Sequence, residues 1–449
     1  MARQMKDSGV EWIDEIPEEW EVARLKQVFN FGKGLPITKE DLVDKGIPVI
    51  SYGQIHAKSN TGVTVQQELI RYVPDVFRET NFDSFVSKND FILADTSEDL
   101  LGCGNCVFVD REMELFAGYH TIILRSTTTQ DNKYIAYLFL TDAWRSQIRS
   151  KVSGVKLFSI SRKILSEATV LVPPKDVQRR IAAFLDRRCA GIDAVIERTR
   201  ATIEEYKKLK QAVITEAVTK GVRGERKMKD SGIEWIGEIP EGWDIVKLKY
   251  FLSDDKVNLR VGPFGSALAG SDFVEEGKWV YNQRVVLDDN FISNDTFVSA
   301  SKYAELVGFE VIPDDVLITT RGSIGKVAIV PQDAPRGILH PCIIKFRVNQ
   351  DMIPHSILKH VFNDTDFVLR QIKEMSNSTT IDVLYSYSLR NVLLPLIPMC
   401  EQPEIAAYLD EKCAALDTLI AKNTALLTEL ETYKKSLIYE YVTGKKEVQ

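Results

Sequence analysis

The side chains in this chain best suited to specific chemistry lie in polar, glycine-rich turns, and they fall into two sets. The first comprises Lys33, Lys39, Ser51, Tyr52, Gln54, His56, Thr96, Ser97 and Lys156. The second comprises Gly262, Phe264, Ser266, Asn282, Gln283, Arg284, Thr320, Arg321, Ser323, Lys326, Asn377 and Thr379. These are the residue types that read nucleic acid. Arginine pairs with guanine O6 and N7, and asparagine or glutamine with adenine N6 and N7. Serine, threonine and backbone N–H groups hold phosphate. Glycine in such turns lets the backbone approach a ligand closely. Any one of these loops, taken alone, also reads as an ordinary surface turn.

Catalytic signatures are missing by contrast. The piece nearest to a phosphate-binding loop, Gly322-Ser-Ile-Gly325-Lys326-Val327, has the wrong spacing and lacks the hydroxyl that would hold magnesium. No dinucleotide-binding G-x-G-x-x-G follows a strand, and there is no H-E-x-x-H or G-x-S-x-G. The five histidines are scattered, and His355 and His360 are not spaced to share a helix face. His120 and His340 precede strands at similar places in the chain and read as core histidines. Cys103 and Cys106 form a C-x-x-C pair, but no second pair completes four zinc ligands. The turn reads as a hairpin with buried thiols, and no metal site is expected.

Two frames must position these turns, because the chain repeats itself. Residues 5–26 and 228–249, at an offset of 223, share 15 of 22 positions. Gln178, Ile181, Leu185, Asp186, Cys189 and Asp193 return as Gln402, Ile405, Leu409, Asp410, Cys413 and Asp417, at an offset of 224. Near-constant offsets mean a tandem duplication, hence an internal pseudo-twofold and a target with two related parts. Each half opens with two tryptophans about a proline turn (Trp12, Pro17, Trp20; Trp235, Pro240, Trp243), which reads as an aromatic clasp. Short apolar runs follow, among them 47–51, 91–95, 106–110, 121–125 and 168–172. Runs at 316–320, 326–330, 342–348 and 391–396 play the same parts in the second half. Helices are predicted over 134–149 and 355–373.

Each half closes on a long proline-free segment with heptad spacing. In the first, Leu185, Ile192, Thr199, Tyr206 and Val213 recur, with Val195, Thr202 and Leu209 between them. In the second, Leu409, Leu416, Asn423, Leu430 and Leu437 recur, with Leu419, Leu426 and Tyr433 between. Two such helices on one duplicated chain are expected to pair as an antiparallel coiled coil, with the polar Thr199 and Asn423 fixing register. The predicted fold is α+β, with two tandem mixed α/β domains of irregular, β-rich sheets joined by that coiled coil. Expected boundaries are 1–173 and 223–399 for the domains and 174–222 and 400–449 for the helical regions.

Composition sets outer limits. The chain has 449 residues, is 44% hydrophobic and 27% charged, and carries a formal charge of −7. That is ordinary globular composition, and the acidic balance argues against bulk electrostatic binding of nucleic acid while leaving local basic surfaces open. No run is long and apolar enough to span a bilayer. The polar N-terminus lacks a signal-peptide core, so a cytoplasmic protein with reduced thiols is expected.

In combination, several motifs resemble the specificity subunit of type I restriction–modification enzymes. They are the duplicated D-S-G-[VI]-E-W-I-x-E-I-P-E-x-W and Q-x-x-I-A-A-[FY]-L-D, the V-T-[KG] helix ends, G-I-P-V-I-S-Y-G at 46–53, G-P-F-G-S at 262–266 and D-V-L-I-T-T-R-G-S-I-G-K at 315–326. The resemblance covers nearly the whole chain. It implies two target-recognition domains that each read half of a gapped double-stranded DNA site. It also implies paired helical regions that separate those domains and dock two methyltransferase subunits, with motor–nuclease subunits joining for restriction. S-adenosylmethionine, ATP and Mg²⁺ would bind those partners, and this chain would bind no cofactor and catalyse nothing. Two local differences set the halves apart. Asp95-Thr96-Ser97-Glu98 stands where the second half has Thr320-Arg321-Gly322-Ser323, and G-P-F-G-S has no evident counterpart in the first half. The competing readings are a duplicated protein–protein adaptor and a nuclease or methyltransferase with an unrecognised centre.

Overall fold

A computed structural model describes residues 4–127, 132–154, 156–375 and 383–448. The chain forms two compact units, residues 1–199 with 425–449 and residues 200–424. Each takes one globular domain and part of each long helix, Lys175–Lys220 and Gln402–Val442.

Both units contain the same antiparallel four-stranded sheet. In the first unit its order is Phe29–Lys33, Thr121–Ser126, Phe91–Ala94, Cys106–Phe108. In the second it is Leu259–Val261, Ile343–Phe346, Val316–Thr319, Val327–Ile329. The strands are short. Phe91–Ala94, Cys106–Phe108 and Val316–Thr319 are wholly buried, while the edge strands Phe29–Lys33 and Leu259–Val261 are not. A second sheet in each unit contains one parallel pair, Phe116–Ala117 beside Ile47–Ile50 and Gly337–Leu339 beside Lys278–Tyr281. The opening segment pairs with the strand before the long helix, Glu21–Arg24 with Thr169–Val172 and Asp244–Lys247 with Leu393–Leu396.

Ladder register fixes which residues are equivalent. Thr121 faces Ala94, and Ile343 faces Thr319. Asp95 N–H donates to the His120 carbonyl at 3.1 Å, and Thr320 N–H to that of Cys342 at the same distance. His120 is therefore the counterpart of Cys342, two residues off the match with His340 suggested by sequence alone. Gly34 N–H donates to Thr121 O and Gly262 N–H to Ile343 O, so Gly34 is the counterpart of Gly262. The G-P-F-G-S turn thus has a backbone equivalent in the first half after all. Its side chains had hidden the match.

The clasp reading holds for one tryptophan in each half. Trp20 and Trp243 are fully buried, while Trp12 and Trp235 are half-buried. Trp20 packs in one cluster with Leu437, Ile438 and Val442 at the end of the second long helix. Trp243 packs with Ile214, Ala217 and Val218 at the end of the first. The repeated glutamines serve as hooks. Gln178 Nε2 donates to Pro173 O at 2.8 Å and Gln402 Nε2 to Ile397 O at 2.9 Å, tying each helix start to its lead-in. Both predicted domain helices are broken by a threonine. Thr141 caps Asp142–Arg149 by accepting from Trp144 N–H, and Thr365 separates His355–Asp364 from Asp366–Met375.

Within each unit the two long helices run antiparallel. In the first, Phe184 meets Tyr441 and Asp193 meets Lys434, so one helix advances as the other retreats. In the second, Lys210 meets Asp417 and Arg223, just beyond the helix, meets Glu404. The Asp193–Lys434 pair at 2.6 Å and the Asp417–Lys210 pair at 2.7 Å are one ion pair repeated with the helices exchanged. The primary seam Leu185, Ile192, Thr199, Tyr206, Val213 and Leu409, Leu416, Asn423, Leu430, Leu437 is buried or half-buried throughout. The intervening seam is displaced by one residue from the expected one. Ile196 and Ile203 are buried and Ile420 and Leu427 half-buried, whereas Val195, Leu209, Leu419, Leu426 and Tyr433 are exposed. A step of one residue turns a helix by roughly 100°, enough to move a side chain out of a seam. The polar seam residues also differ from expectation. Thr199 Oγ1 donates to Val195 O and Asn423 Nδ2 to Leu419 O, each on its own helix. Bonds within a helix cannot fix register across a pair, whereas the repeated ion pair does cross between the two helices.

Candidate nucleic-acid interface

In each unit, one end of the four-stranded sheet gathers most of the singled-out turns. In the first, Asp95–Ser97 leaves Phe91–Ala94, and Gly118–His120 enters Thr121–Ser126. Gly118 N–H donates to Ile50 O at 2.7 Å and Tyr52 N–H to Tyr119 O at 3.3 Å. Ile160 N–H donates to Asp95 O at 2.7 Å, and Ser159 pairs with Thr96. The second unit repeats the scheme. His340 N–H donates to Tyr281 O at 3.2 Å, Leu384 N–H donates to Thr320 O at 2.9 Å, and Arg321 bridges Val383. Thr96 and Arg321 thus occupy one backbone position, as do Ser51 and Asn282, Tyr52 and Gln283, and His120 and Cys342.

The platform divides the candidates into supports and exposed side chains. Ser51, Thr96, Ser97 and Thr320 are buried and cannot meet a ligand directly. Thr96 Oγ1 donates to Asp95 Oδ1 at 2.7 Å, Ser97 Oγ to Asp99 O at 2.7 Å and Thr320 Oγ1 to Cys342 O at 2.9 Å. Gln54 accepts from Ser51 N–H, and both ring nitrogens of His56 are engaged, by Thr96 O and Asn105 Nδ2. Asn282 caps Gln283–Leu287 by accepting from Arg284 and Val285 N–H. Arg284 faces Asp295 at 3.3 Å and Asp288 at 3.5 Å, and Lys326 donates to Asn363 O, so neither cation is free.

The exposed set on or beside the platform is smaller. In the first unit it holds Lys33, half-buried Tyr52, and Lys156 in the loop leading to Ser159. In the second it holds Phe264, Ser266, half-buried Gln283, Arg321 and Ser323. Gly262 is buried, and a Cβ there would lie 2.1 Å from His340 O, so only glycine fits beneath the turn. Lys39 lies in a separate exposed 3-10 turn, Lys39–Asp41, that makes none of the platform bonds. Asn377 and Thr379 lie outside the described residues.

Two residues escaped sequence reasoning. His120 is no core histidine. Its side chain is 59% exposed, its backbone is left-handed at φ +53, and its Nδ1 lies 3.4 Å from Asp95 Oδ1. Tyr119 and His120 both meet Tyr52 edge-on, at 5.6 and 5.4 Å between ring centres. A strained, exposed non-glycine residue is a recognised mark of function, but a sequence does not print φ. His340 differs in kind. Burial, with Arg321 nearby adding to it, holds its imidazole below the usual range, and its Nδ1 accepts from Cys342 N–H. Cys103 and Cys106 are buried in the first core, and burial pushes the Cys106 thiol up to about 12. Among the described residues no group of His, Cys, Asp and Glu could hold a metal ion, and no helix is long and apolar enough to cross a membrane.

Comparison with known proteins identifies this duplicated architecture. The type I restriction modification DNA specificity domain matches residues 17–205 and again 266–432. The chain belongs to this family. Among relatives of the specificity family is a putative type I restriction enzyme MjaX specificity subunit of Methanocaldococcus jannaschii, 24% identical over 96% of this chain and 95% of that one. The MjaVIII specificity subunit of the same organism is also 24% identical, over 96% of this chain and 93% of that one. A solved chain from a study of assembly and conformational transition in a type I R-M system shares the fold. Its TM-score is 0.66 at 16% identity, and the match covers 96% of this chain and 99% of that one.

Proposed function

We propose that this chain is the sequence-specific DNA-recognition subunit of a type I restriction–modification complex, reading one half of a gapped site with each unit. The observation that carries this reading is the pair of equivalent platforms with unlike exposed side chains. One backbone scaffold presents Tyr52, Tyr119 and His120 in the first unit and Gln283, Arg321 and Phe264 in the second. A shared scaffold bearing different donors reads different bases, so the two half-sites differ and the whole site is asymmetric.

The chain itself is non-catalytic. S-adenosylmethionine, ATP and Mg²⁺ belong to partner subunits, two methyltransferases and the motor–nuclease subunits of restriction. The exposed stripes beside the helix seam suit docking of such a partner. Leu209 and Leu419 flank the Lys210–Asp417 pair in one unit, and Tyr433 and Val195 flank the Lys434–Asp193 pair in the other. The repeat therefore offers one equivalent apolar patch per unit, and hence one methyltransferase for each.

The test is co-expression of the chain with its methyltransferase subunit in a host lacking both, followed by modification-sensitive long-read sequencing. A gapped two-part motif carrying methylated adenine is expected only when this chain is present. Methylation that is unchanged without the chain would overturn the reading.

A further inference from the structure

The first unit carries a groove beside its platform that is larger and differently lined than the hollow of its counterpart. The groove has a volume of about 470 Å³ and is lined by Lys33, Arg125, Arg162, Asn81, Asp83 and Ser84. Arg125 is committed to Asp83 O and lies 3.7 Å from Asp90. Lys33 and Arg162 are exposed, and neither makes an ion pair among the described residues. Phe82, between two lining residues, is 78% exposed. Two unspent cations, the Asn81 amide and an exposed aromatic edge are complementary to a sugar–phosphate strand. The buried Ser84 hydroxyl, by contrast, is spent on Lys33 O at 3.1 Å, and Asp83 is the one carboxylate among these lining residues.

Ladder register shows why the second unit differs. Gly32 faces Ile123, and its counterpart Arg260 faces Lys345. The Arg260 guanidinium lies 4.8 Å from the centre of the Phe309 ring, a cation–π contact that Gly32 cannot make. The second unit's hollow there is about 270 Å³, and Asp255 and Glu310 contribute to its lining. Its cations are spent, Lys345 at 2.8 Å and Arg347 at 2.6 Å from buried Asp315.

We infer that the groove lined by Lys33 and Arg162, with Phe82 beside its lining residues Asn81 and Asp83, binds the DNA backbone, so that the two units grip DNA unequally. Lys33 and Arg162 each neutralise one phosphate of the strand next to the first half-site, and Phe82 packs against a deoxyribose. The groove fixes affinity, while the platform fixes sequence. This inference rests on the DNA-recognition reading above.

The experiment measures binding of the complex of full chain and methyltransferase to two duplexes, one with the intact site and one with the first half-site scrambled. Sodium chloride is varied from about 50 to about 200 mM. The Lys33→Gln, Arg162→Gln double variant is expected to lower the steepness of log K against log salt by about 1.8, roughly 0.9 for each phosphate that is no longer neutralised. The drop should appear on both duplexes. Phe82→Ala should weaken both at every salt concentration and leave the slope alone. All three side chains are exposed, and equal thermal unfolding checks that the variants fold. An unchanged slope in the double variant overturns the groove. A lowered slope, in a complex whose unaltered form prefers no gapped site, leaves the groove standing and sinks the recognition reading instead.

Discussion

Arg321 and Thr96 occupy the same backbone position, yet only Arg321 points a free cation outward. Arg321→Ala is expected to weaken binding to a duplex carrying the second half-site by about 1–3 kcal/mol, the worth of a bidentate pair with guanine. The first half-site should be unaffected in a competition assay, and equal weakening on random DNA would reduce Arg321 to a phosphate ligand. His340 and His355 make a pH prediction. Burial holds both imidazoles below the usual value, with Arg321 adding at His340 and Asp314 opposing at His355. The folded state therefore binds protons less readily than the unfolded one. Their contribution to stability is present above the ordinary histidine value of about 6.5 and is lost as pH falls below it. Thermal unfolding followed from about pH 7 to about pH 5 should show the midpoint falling. The His340→Gln, His355→Gln double variant should flatten that fall.

At the scale of elements, the long helices divide their surface into a seam and a stripe separated by one residue. The seam buries Leu185, Ile196, Ile203, Leu409 and Leu416, and the stripe leaves Leu426 and Tyr433 at 40% and 57% exposure. Apolar side chains left out on a long helix add nothing to the fold and lower solubility, unless a partner covers them. Leu426→Glu with Tyr433→Glu is expected to cost the methyltransferase complex about 2 kcal/mol or more, as truncated interface anchors do. Analytical ultracentrifugation or calorimetry reads this directly. The unfolding temperature of the free chain should stay within a degree or two, because neither residue packs in the core.

At the scale of the molecule, the chain passes between its two units inside the long helices, near Thr199 and again near Thr424. An insertion at 219–224, between the first long helix and the second half, is one way to try to shift the spacing. The structure makes that segment a poor choice, because Arg223 binds Glu404 and Arg226 binds Glu401 within one unit. A whole heptad added to both helices, after Thr199 and after Thr424, keeps the seam in phase and lengthens each by about 10 Å. The methylated motif is expected to widen its gap by about three base pairs, at roughly 3.4 Å each, with both half-sites unchanged. Altered half-sites at the old spacing would refute the helical ruler.

Sequence alone determined the duplication, the strand-rich domains, the two long helices and the family, because these depend on local patterns such as repeats, periodicity and proline placement. It also singled out the turns that the platform gathers. Only the tertiary structure decided which of their side chains are free. Ser51, Thr96, Ser97 and Thr320 look like surface hydroxyls in a linear reading, yet the sheet buries them. His120 looks like a core residue, yet its left-handed backbone turns it outward. The seam was legible to within one residue. Both Leu419 and Ile420 are apolar, and only the antiparallel partner selects which of them is buried. The groove at Lys33 was out of reach, because its lining comes from segments far apart in the chain, around Lys33, Asn81–Ser84, Arg125 and Arg162. Burial and register are properties of segments far apart in the chain, and they exist only once those segments meet.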